Sequence, residues 1–396
     1  MGPKREEKKT KEQNQTKMKQ QEKEQDKGKE RKGKEKSKQK KALWICGSLS
    51  PLRRRAGRRI MTGTDGSPVR RHADREERSM DTVNAEGTLL TALTRDGGAR
   101  LLFAHTTDIV EYARLRHGCS RTVTAALGRC LTAAAIMGGT LKDGDGSVTL
   151  RISGGGPAGS FTCVSDALGN VRGCCEDPKV ELPPNAQGKL DVGGAVGRDG
   201  DLYVVRDYGF GEPYVGYTKL VSGEIAEDIT AYYAMSEQTP TVCALGVRVW
   251  PEGNVKGAGG FLLQLMPGAP DELADRLQER VEAMPSLSAL IGEGKRGEEI
   301  AALVFGEIPY DLLETKPIRY RCNCSREKYR AAIKGIGIRE LRDMRDSGEE
   351  AEVVCRFCGE RYVFSPEELA AMCAEREAEL RAKKAQSQAP DPGETP

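Results

Sequence analysis

Ser222 through Val249 reads SGEIAEDITAYYAMSEQTPTVCALGVRV. Ile225, Ile229 and Tyr233 recur every four residues, the spacing that lines up side chains on one helical face, and Ser222 stands where an N-cap belongs. The helix this predicts over 223–237 must stop at Pro240, which has no N–H to continue the ladder. Val242 to Val249 and Gly259 to Leu265 then turn to strand-forming residues. Helix and strands succeed one another here without the regular alternation of a parallel α/β protein, so the segment predicts an α+β fold with a mixed-sheet core.

Upstream, the pattern extends back to Met80. Leu89 to Leu93 and Ala99 to Ala104 flank Arg95-Asp96-Gly97-Gly98, a hairpin signal. Helices are expected over 107–116, opened by a Thr/Asp cap region, and over 122–137, closed by Gly138-Gly139. Strands are expected over 148–152, 161–164, 188–192 and 201–207. The glycine run Gly154-Gly155-Gly156 has neither a following Gly-Lys-Ser/Thr nor a helix after it, so it reads as a turn rather than a phosphate loop. Residues 80–266 form the expected core domain.

Downstream, beyond Pro267, the character changes. Leu273, Leu277 and Val281 make a narrow apolar stripe among Asp, Glu and Arg, and Glu298 to Phe305 is again helical, so 267–320 reads as a helical linker. The stripe suits either an exposed binding face or ordinary core packing.

The linker leads to Cys322-Asn-Cys324 and, thirty residues later, to Cys355-Arg-Phe-Cys358-Gly359. Zinc prefers four tetrahedral ligands and is held tightly when all four are thiolates, so the two pairs predict one Zn2+ site in a small domain over 321–372. The second pair sits between strand-like runs, 353–354 and 360–364, with Gly359 able to take the positive φ of the turn. Arg321, Arg326, Lys328, Arg356 and Arg361 surround the cysteines in sequence, and nearby cations favour the thiolate that both binds metal and reacts. Ser325 is placed to cap a helix reaching Lys334, and Ser365-Pro366-Glu367-Glu368 to start another. A site of this kind can be a purely structural zinc ribbon. The Cys-x-Cys pair argues for more, because a disulfide across so small a ring is strained and comparatively reducible. Metal loss would matter, since about 10–16 kcal/mol of binding free energy in small zinc modules is largely folding free energy. The polar residues 373–396 are expected to be a disordered tail.

Composition sets the surroundings. The chain has 396 residues and 12 cysteines, and no apolar run of about 18 residues that would suggest a membrane span. Cys119, Cys130, Cys163, Cys174, Cys175 and Cys243 are scattered singly or unevenly through the core region and read as small buried hydrophobes of a reducing, cytoplasmic protein. The net charge of +3 hides an asymmetry. Residues 1–41 hold 17 Lys/Arg against 8 Asp/Glu and residues 42–80 add 9 Arg against 4 acids, so the first 80 carry about +14 and the remainder about −11. A Lys/Glu/Gln-rich segment cannot bury enough surface to offset its ordering entropy, and 1–79 is expected to be a disordered basic extension. It could serve as a nucleic-acid arm, as an organellar transit segment on the strength of Arg53 to Arg59, or only as a solvated tail. Met61 and Met80 offer later starts. The short apolar stretch 42–49 follows dozens of charged residues and does not fit a secretory signal.

Other classes fit less well. A thiol oxidoreductase would place Cys-x-x-Cys at the start of a helix. A hydrolase needs a base, and His72, His105 and His117 are the only histidines; His105 near Asp108 lacks a nucleophile signature. No enzymatic activity is expected. A zinc-ribbon nucleic-acid-binding protein with a basic N-terminal arm is the alternative, but the globular part is acidic and aromatics are 5% of the chain.

Several separated stretches carry a family likeness: Ser153-Gly-Gly-Gly-Pro157, Asn170-Val-Arg-Gly173, Ile225-Ala-Glu-Asp228, Ser236-Glu-Gln238, Ala258-Gly-Gly-Phe-Leu-Leu-Gln264 and the paired cysteines. In order and coverage, from about Met80 to Met372, the chain resembles the heat-shock protein 33 family, redox-regulated holdase chaperones. The resemblance implies that Cys322, Cys324, Cys355 and Cys358 hold one Zn2+ in a reduced, inactive protein. It implies that oxidative stress joins Cys322 with Cys324 and Cys355 with Cys358, expels the zinc and unfolds the small domain. It further implies ATP-independent capture of unfolding client proteins, later passed to refolding chaperones, and a homodimer when oxidised.

Overall fold

The structure is a computed structural model that describes residues 85–142 and 144–388. The basic extension expected over 1–79 and the last residues of the expected tail lie outside the described residues. The chain divides into two compact units. One carries residues 85–323 together with Phe357–Gly359; the other carries Cys324–Arg356 and the residues from Glu360 onward.

The first unit is built on a ten-stranded sheet. Its strands are β1 (Glu86–Thr94), β2 (Ala99–His105), β3 (Ser147–Ser153), β4 (Phe161–Asp166), β5 (Asn170–Cys175), β6 (Asp201–Asp207), β7 (Tyr214–Lys219), β8 (Thr241–Val249), β9 (Val255–Leu265) and β10 (Tyr310–Tyr320). They lie in the order β7-β6-β3-β4-β5-β10-β1-β2-β9-β8. Neighbours run antiparallel except β10 and β5, which are parallel, so the α+β, mixed-sheet reading holds. The expected hairpin is β1–β2, with Leu89 opposite Ala104 and Leu93 opposite Arg100.

Helices α1 (Thr107–His117), α2 (Arg121–Gly138), α3 (Val192–Val196), α4 (Ala226–Met235), α5 (Asp271–Glu282), α6 (Leu287–Gly292) and α7 (Gly297–Phe305) complete this unit. Alternation along the central strands sorts their side chains into two clusters. Leu89, Leu102 and Leu262 join α2, which is buried along almost its whole length, in one cluster. Leu90, Phe103 and Phe261 join Leu277, Leu290 and Phe305 of α5–α7 in the other. A sheet covered on both faces explains why these strands are apolar at successive positions. In the glycine-rich region, Gly197 has φ +83°, and a Cβ there would lie 2.2 Å from the Gly154 carbonyl oxygen. Close backbone packing, not phosphate binding, accounts for the glycines of Ser153–Pro157.

Five expectations need correction. Residues 188–191 are a turn rather than a strand, with Asn185 Oδ1 accepting from the backbone N–H of Gln187 and Lys189, and α3 follows. Helix α4 begins three residues later than expected. Ser222 does not cap it; the Asp228 carboxylate accepts from the N–H of Val221 (2.7 Å), Ser222 (3.0 Å) and Ile225 (2.9 Å) and fixes the turn before it. Residues 267–320 are helical only as far as Phe305 and end in β10, paired with β1 along its length and with β5 at Tyr320. Its partners lie far away in sequence and most of its side chains are exposed, so local pattern gave no sign of it. The stripe Leu273–Leu277–Val281 packs against the second cluster. Residues 373–388, expected to be disordered, continue a long helix.

That helix, α10 (Pro366–Gln388), belongs to the second unit with α8 (Arg326–Lys334), α9 (Ile338–Asp346) and the hairpin β11 (Ala351–Val354) and β12 (Arg361–Phe364). Ser325 caps α8 as expected, accepting from Lys328 N–H. A small apolar core gathers Ile333, Leu341, Val353, Phe364, Met372 and Cys373. Arg330–Glu375, Lys334–Glu379 and Arg342–Glu377 ion pairs of 2.5, 2.9 and 2.8 Å tie α10 to the other helices. Burial of Cys373 and these pairings hold in place residues whose polarity by itself reads as a tail.

Candidate metal centre

Two local structures deliver the four cysteines. Cys322 and Cys324 leave the end of β10, and Cys355 and Cys358 sit in the turn of the β11–β12 hairpin. The hairpin register pairs Val354 with Arg361, and Cys355 N–H donates to Glu360 O at 2.8 Å, closing the turn. Gly359 takes φ 67°, the left-handed value expected of it.

The Sγ atoms of Cys322, Cys324, Cys355 and Cys358 all lie within 4.8 Å of one another. A tetrahedral ion about 2.3 Å from each sulfur sets its ligands about 3.8 Å apart, so the cluster needs only slight contraction to hold one. Four soft thiolate donors with no carboxylate among them suit zinc over a hard cation. Cys355 is buried and the other three are half-buried, which leaves the cluster accessible to small reagents.

Neighbouring groups shape the cluster. The Tyr362 hydroxyl donates to Cys324 Sγ at 3.1 Å, and the Tyr329 ring packs against that of Tyr362 with centroids 4.9 Å apart. Among the cations singled out in the sequence, Arg326 pairs with Glu368 at 2.8 Å and Arg361 with Glu352 at 3.0 Å. The Arg326 guanidinium also stacks 4.6 Å from the Phe364 ring centroid. Sequence reasoning found the four sulfurs but not Tyr362. Its one signal was period-two alternation in a hairpin strand beginning two residues after Gly359.

Three cysteines outside the cluster have thiol pKa values raised above the ordinary one. Burial pushes the Cys163 and Cys243 thiols well up, and a hydrogen bond with Cys119, then burial, does the same for Cys175. Thiols held protonated in an apolar core are poor nucleophiles. His105 is likewise pushed down by burial, an effect that Asp108 only partly opposes, and its Nε2 lies 3.4 Å from the Thr107 hydroxyl. No helix among the described residues is long and apolar enough to cross a membrane.

Similar proteins cover most of this architecture. The family model described as Hsp33 protein matches residues 87–365. A 33 kDa chaperonin of Clostridium botulinum (strain Loch Maree / Type A3) is 44% identical over 281 residues, covering 71% of this chain and 95% of the relative. One from Clostridium acetobutylicum is 42% identical over 285 residues, covering 72% and 96%. The crystal structure of the 33 kDa chaperonin (heat shock protein 33 homolog) from Thermotoga maritima superposes with a TM-score of 0.67 at 38% identity, covering 74% of this chain and 99% of that one. The matched span takes in the ten-stranded sheet, its helices and all four clustered cysteines, and with identity at this level the chain belongs to the heat-shock protein 33 family of chaperones.

Proposed function

We propose that this chaperone is a redox-regulated, ATP-independent holdase whose switch is the four-cysteine cluster. The observation that carries the reading is the approach of all four Sγ atoms to within 4.8 Å. When bound, one Zn2+ would be held by Cys322, Cys324, Cys355 and Cys358. In that state client binding is low.

Activation is then a balanced thiol oxidation. In Cys322 with Cys324, and in Cys355 with Cys358, two zinc-binding thiolates would lose two electrons as one S–S bond forms, and each event, taking two protons from solvent, reduces one peroxide to two waters. Sulfur bonded to sulfur cannot serve as a thiolate ligand, so a bound ion would be released. Without the metal the small second unit depends on its modest apolar core and its ion pairs, and domains with so little core are marginal alone. Its unfolding, with a core over 80–266 that carries residues 267–320 on its sheet and a switch over 321–372, exposes apolar surface that captures unfolding clients. A reducing, cytoplasmic setting supplies the resting state, and dimerisation accompanies activation.

Zinc release read with a colorimetric chelator, together with light scattering of a heat-denaturing client before and after peroxide at elevated temperature, tests the proposal. Stoichiometric release with newly gained, reductant-reversible protection supports it. Zinc retained, or lost without protection, reduces the cluster to a structural staple.

A further inference from the structure

Tyr320 is the last residue of β10 and stands two residues before Cys322. It is 8% exposed. Its backbone is fixed on both sides: its N–H donates to Ala85 O at 2.7 Å, and it pairs with Val171 of β5. Its ring packs on Tyr112 with centroids 5.0 Å apart.

The hydroxyl of this rigid side chain lies 2.6 Å from the carbonyl oxygen of Phe357. Phe357 is one of the two residues between Cys355 and Cys358, so that carbonyl belongs to the turn presenting the second cysteine pair. The same hydroxyl lies 3.0 Å from Gly173 O and 3.3 Å from His117 Nε2. A phenol has one proton to donate. Phe357 O is the nearer acceptor, and Gly173 O remains as an alternative when the turn departs. The Arg172 guanidinium, from the same strand as Gly173, faces the Phe357 ring 5.4 Å from its centroid. Nothing in this arrangement needs a metal, yet it places both cysteine pairs against one side chain: Cys322 through two peptide units, Cys355 and Cys358 through the turn carbonyl.

We propose that Tyr320 is the positioning residue that latches the Cys355–Cys358 turn onto the end of β10 and so sets how readily the four-cysteine cluster opens. The inference rests on the redox-switch reading. While the hydroxyl holds Phe357 O, the two cysteine pairs stay in register and the thiolates retain a bound ion. When the turn leaves, the phenol falls back on Gly173 O, which avoids stranding a buried donor and keeps the open form accessible. One neutral hydrogen bond of this kind shifts an opening equilibrium about five-fold.

The test uses the full-length, zinc-loaded, reduced protein and its Tyr320→Phe variant, which keeps the ring and loses the hydroxyl. Zinc transfer to a chelator is followed without oxidant, and thermal unfolding is recorded for zinc-loaded and zinc-stripped forms. A second variant, Arg172→Gln, removes the cation facing Phe357. The expected result is zinc transfer about five-fold faster for Tyr320→Phe, with a smaller change in the same direction for Arg172→Gln. The loss of thermal midpoint should be larger in the loaded than in the stripped protein, which a residue serving only the sheet would not produce. Wild-type transfer rates in both variants, or equal midpoint losses in loaded and stripped forms, overturn the latch. If instead the wild-type protein gains no client protection on peroxide treatment, the switch reading fails, and that result is visible independently of the variants.

Discussion

The Tyr362 hydroxyl donates a 3.1 Å hydrogen bond to Cys324 Sγ. The two residues are 38 apart in sequence, and the bond links the Cys-x-Cys pair to the strand that follows the Cys-x-x-Cys turn. A donor aimed at a sulfur that would ligate zinc restrains the position of that sulfur. Tyr362→Phe should therefore weaken zinc affinity about 10-fold. Competition with a chromophoric chelator measures it. An affinity equal to wild type would mean that the bond contributes only packing.

Cys322→Ser removes one thiolate and one member of the first pair. Zinc content should fall well below one ion per chain in that variant. Thiol counting after peroxide should show at most one disulfide formed at the cluster. Peroxide activation that proceeds as in wild type would show that the first pair has been misassigned.

Asp228 is fully buried and its carboxylate receives three strong backbone N–H bonds, from Val221, Ser222 and Ile225. It holds Ile225 at φ 70°, an unusual conformation for a β-branched residue. Asp228→Ala would strand those donors away from water, at a cost of about 3 kcal/mol or more. Urea denaturation of the zinc-loaded protein should show a lower midpoint. An unchanged midpoint would mean that water replaces the carboxylate at no cost.

Acid should loosen the second unit. A hydrogen bond from Arg330, then one from Lys334, holds the Glu375 carboxyl below its ordinary value. A depressed folded-state value means the stabilisation is present above the ordinary glutamate value of 4.5 and is lost as pH falls through the folded one. Lys334 is raised, by Glu379 first and Glu375 second, so its share is complete below its ordinary value of 10.5 and is lost only as pH rises through the raised one. Stability should thus fall on the acid side and stay level through neutral pH. Glu375→Gln should flatten the acid limb of a midpoint-versus-pH curve. A parallel curve would exclude the ion pair as its source.

Much of this was legible in the residues alone. Period-four apolar spacing marked α4 and α5, because such a helix buries one stripe and the stripe shows in the sequence, and the Gly138-Gly139 pair marked the end of α2. Apolar runs around Arg95–Gly98 marked the β1–β2 hairpin, and thiol chemistry with paired spacing marked the four cysteines whose sulfurs the fold gathers. The strands that escaped, β5, β7 and β10, are short, interrupted by glycine or largely exposed, and owe their form to pairing partners.

What the sequence determined by itself was therefore most of the local elements, the mixed α+β class and the identity of the four sulfurs. Only the tertiary structure decided that residues 310–320 are a strand, since that depends on β1 and β5 accepting them at registers set more than a hundred residues away. It also decided that a polar C-terminal stretch is a helix, through Cys373 burial and its ion pairs. Finally, it placed Tyr320 and Tyr362 against the two cysteine pairs. A hydrogen bond or a strand pairing between distant residues leaves no periodicity in the chain, because its energy belongs to neither segment alone.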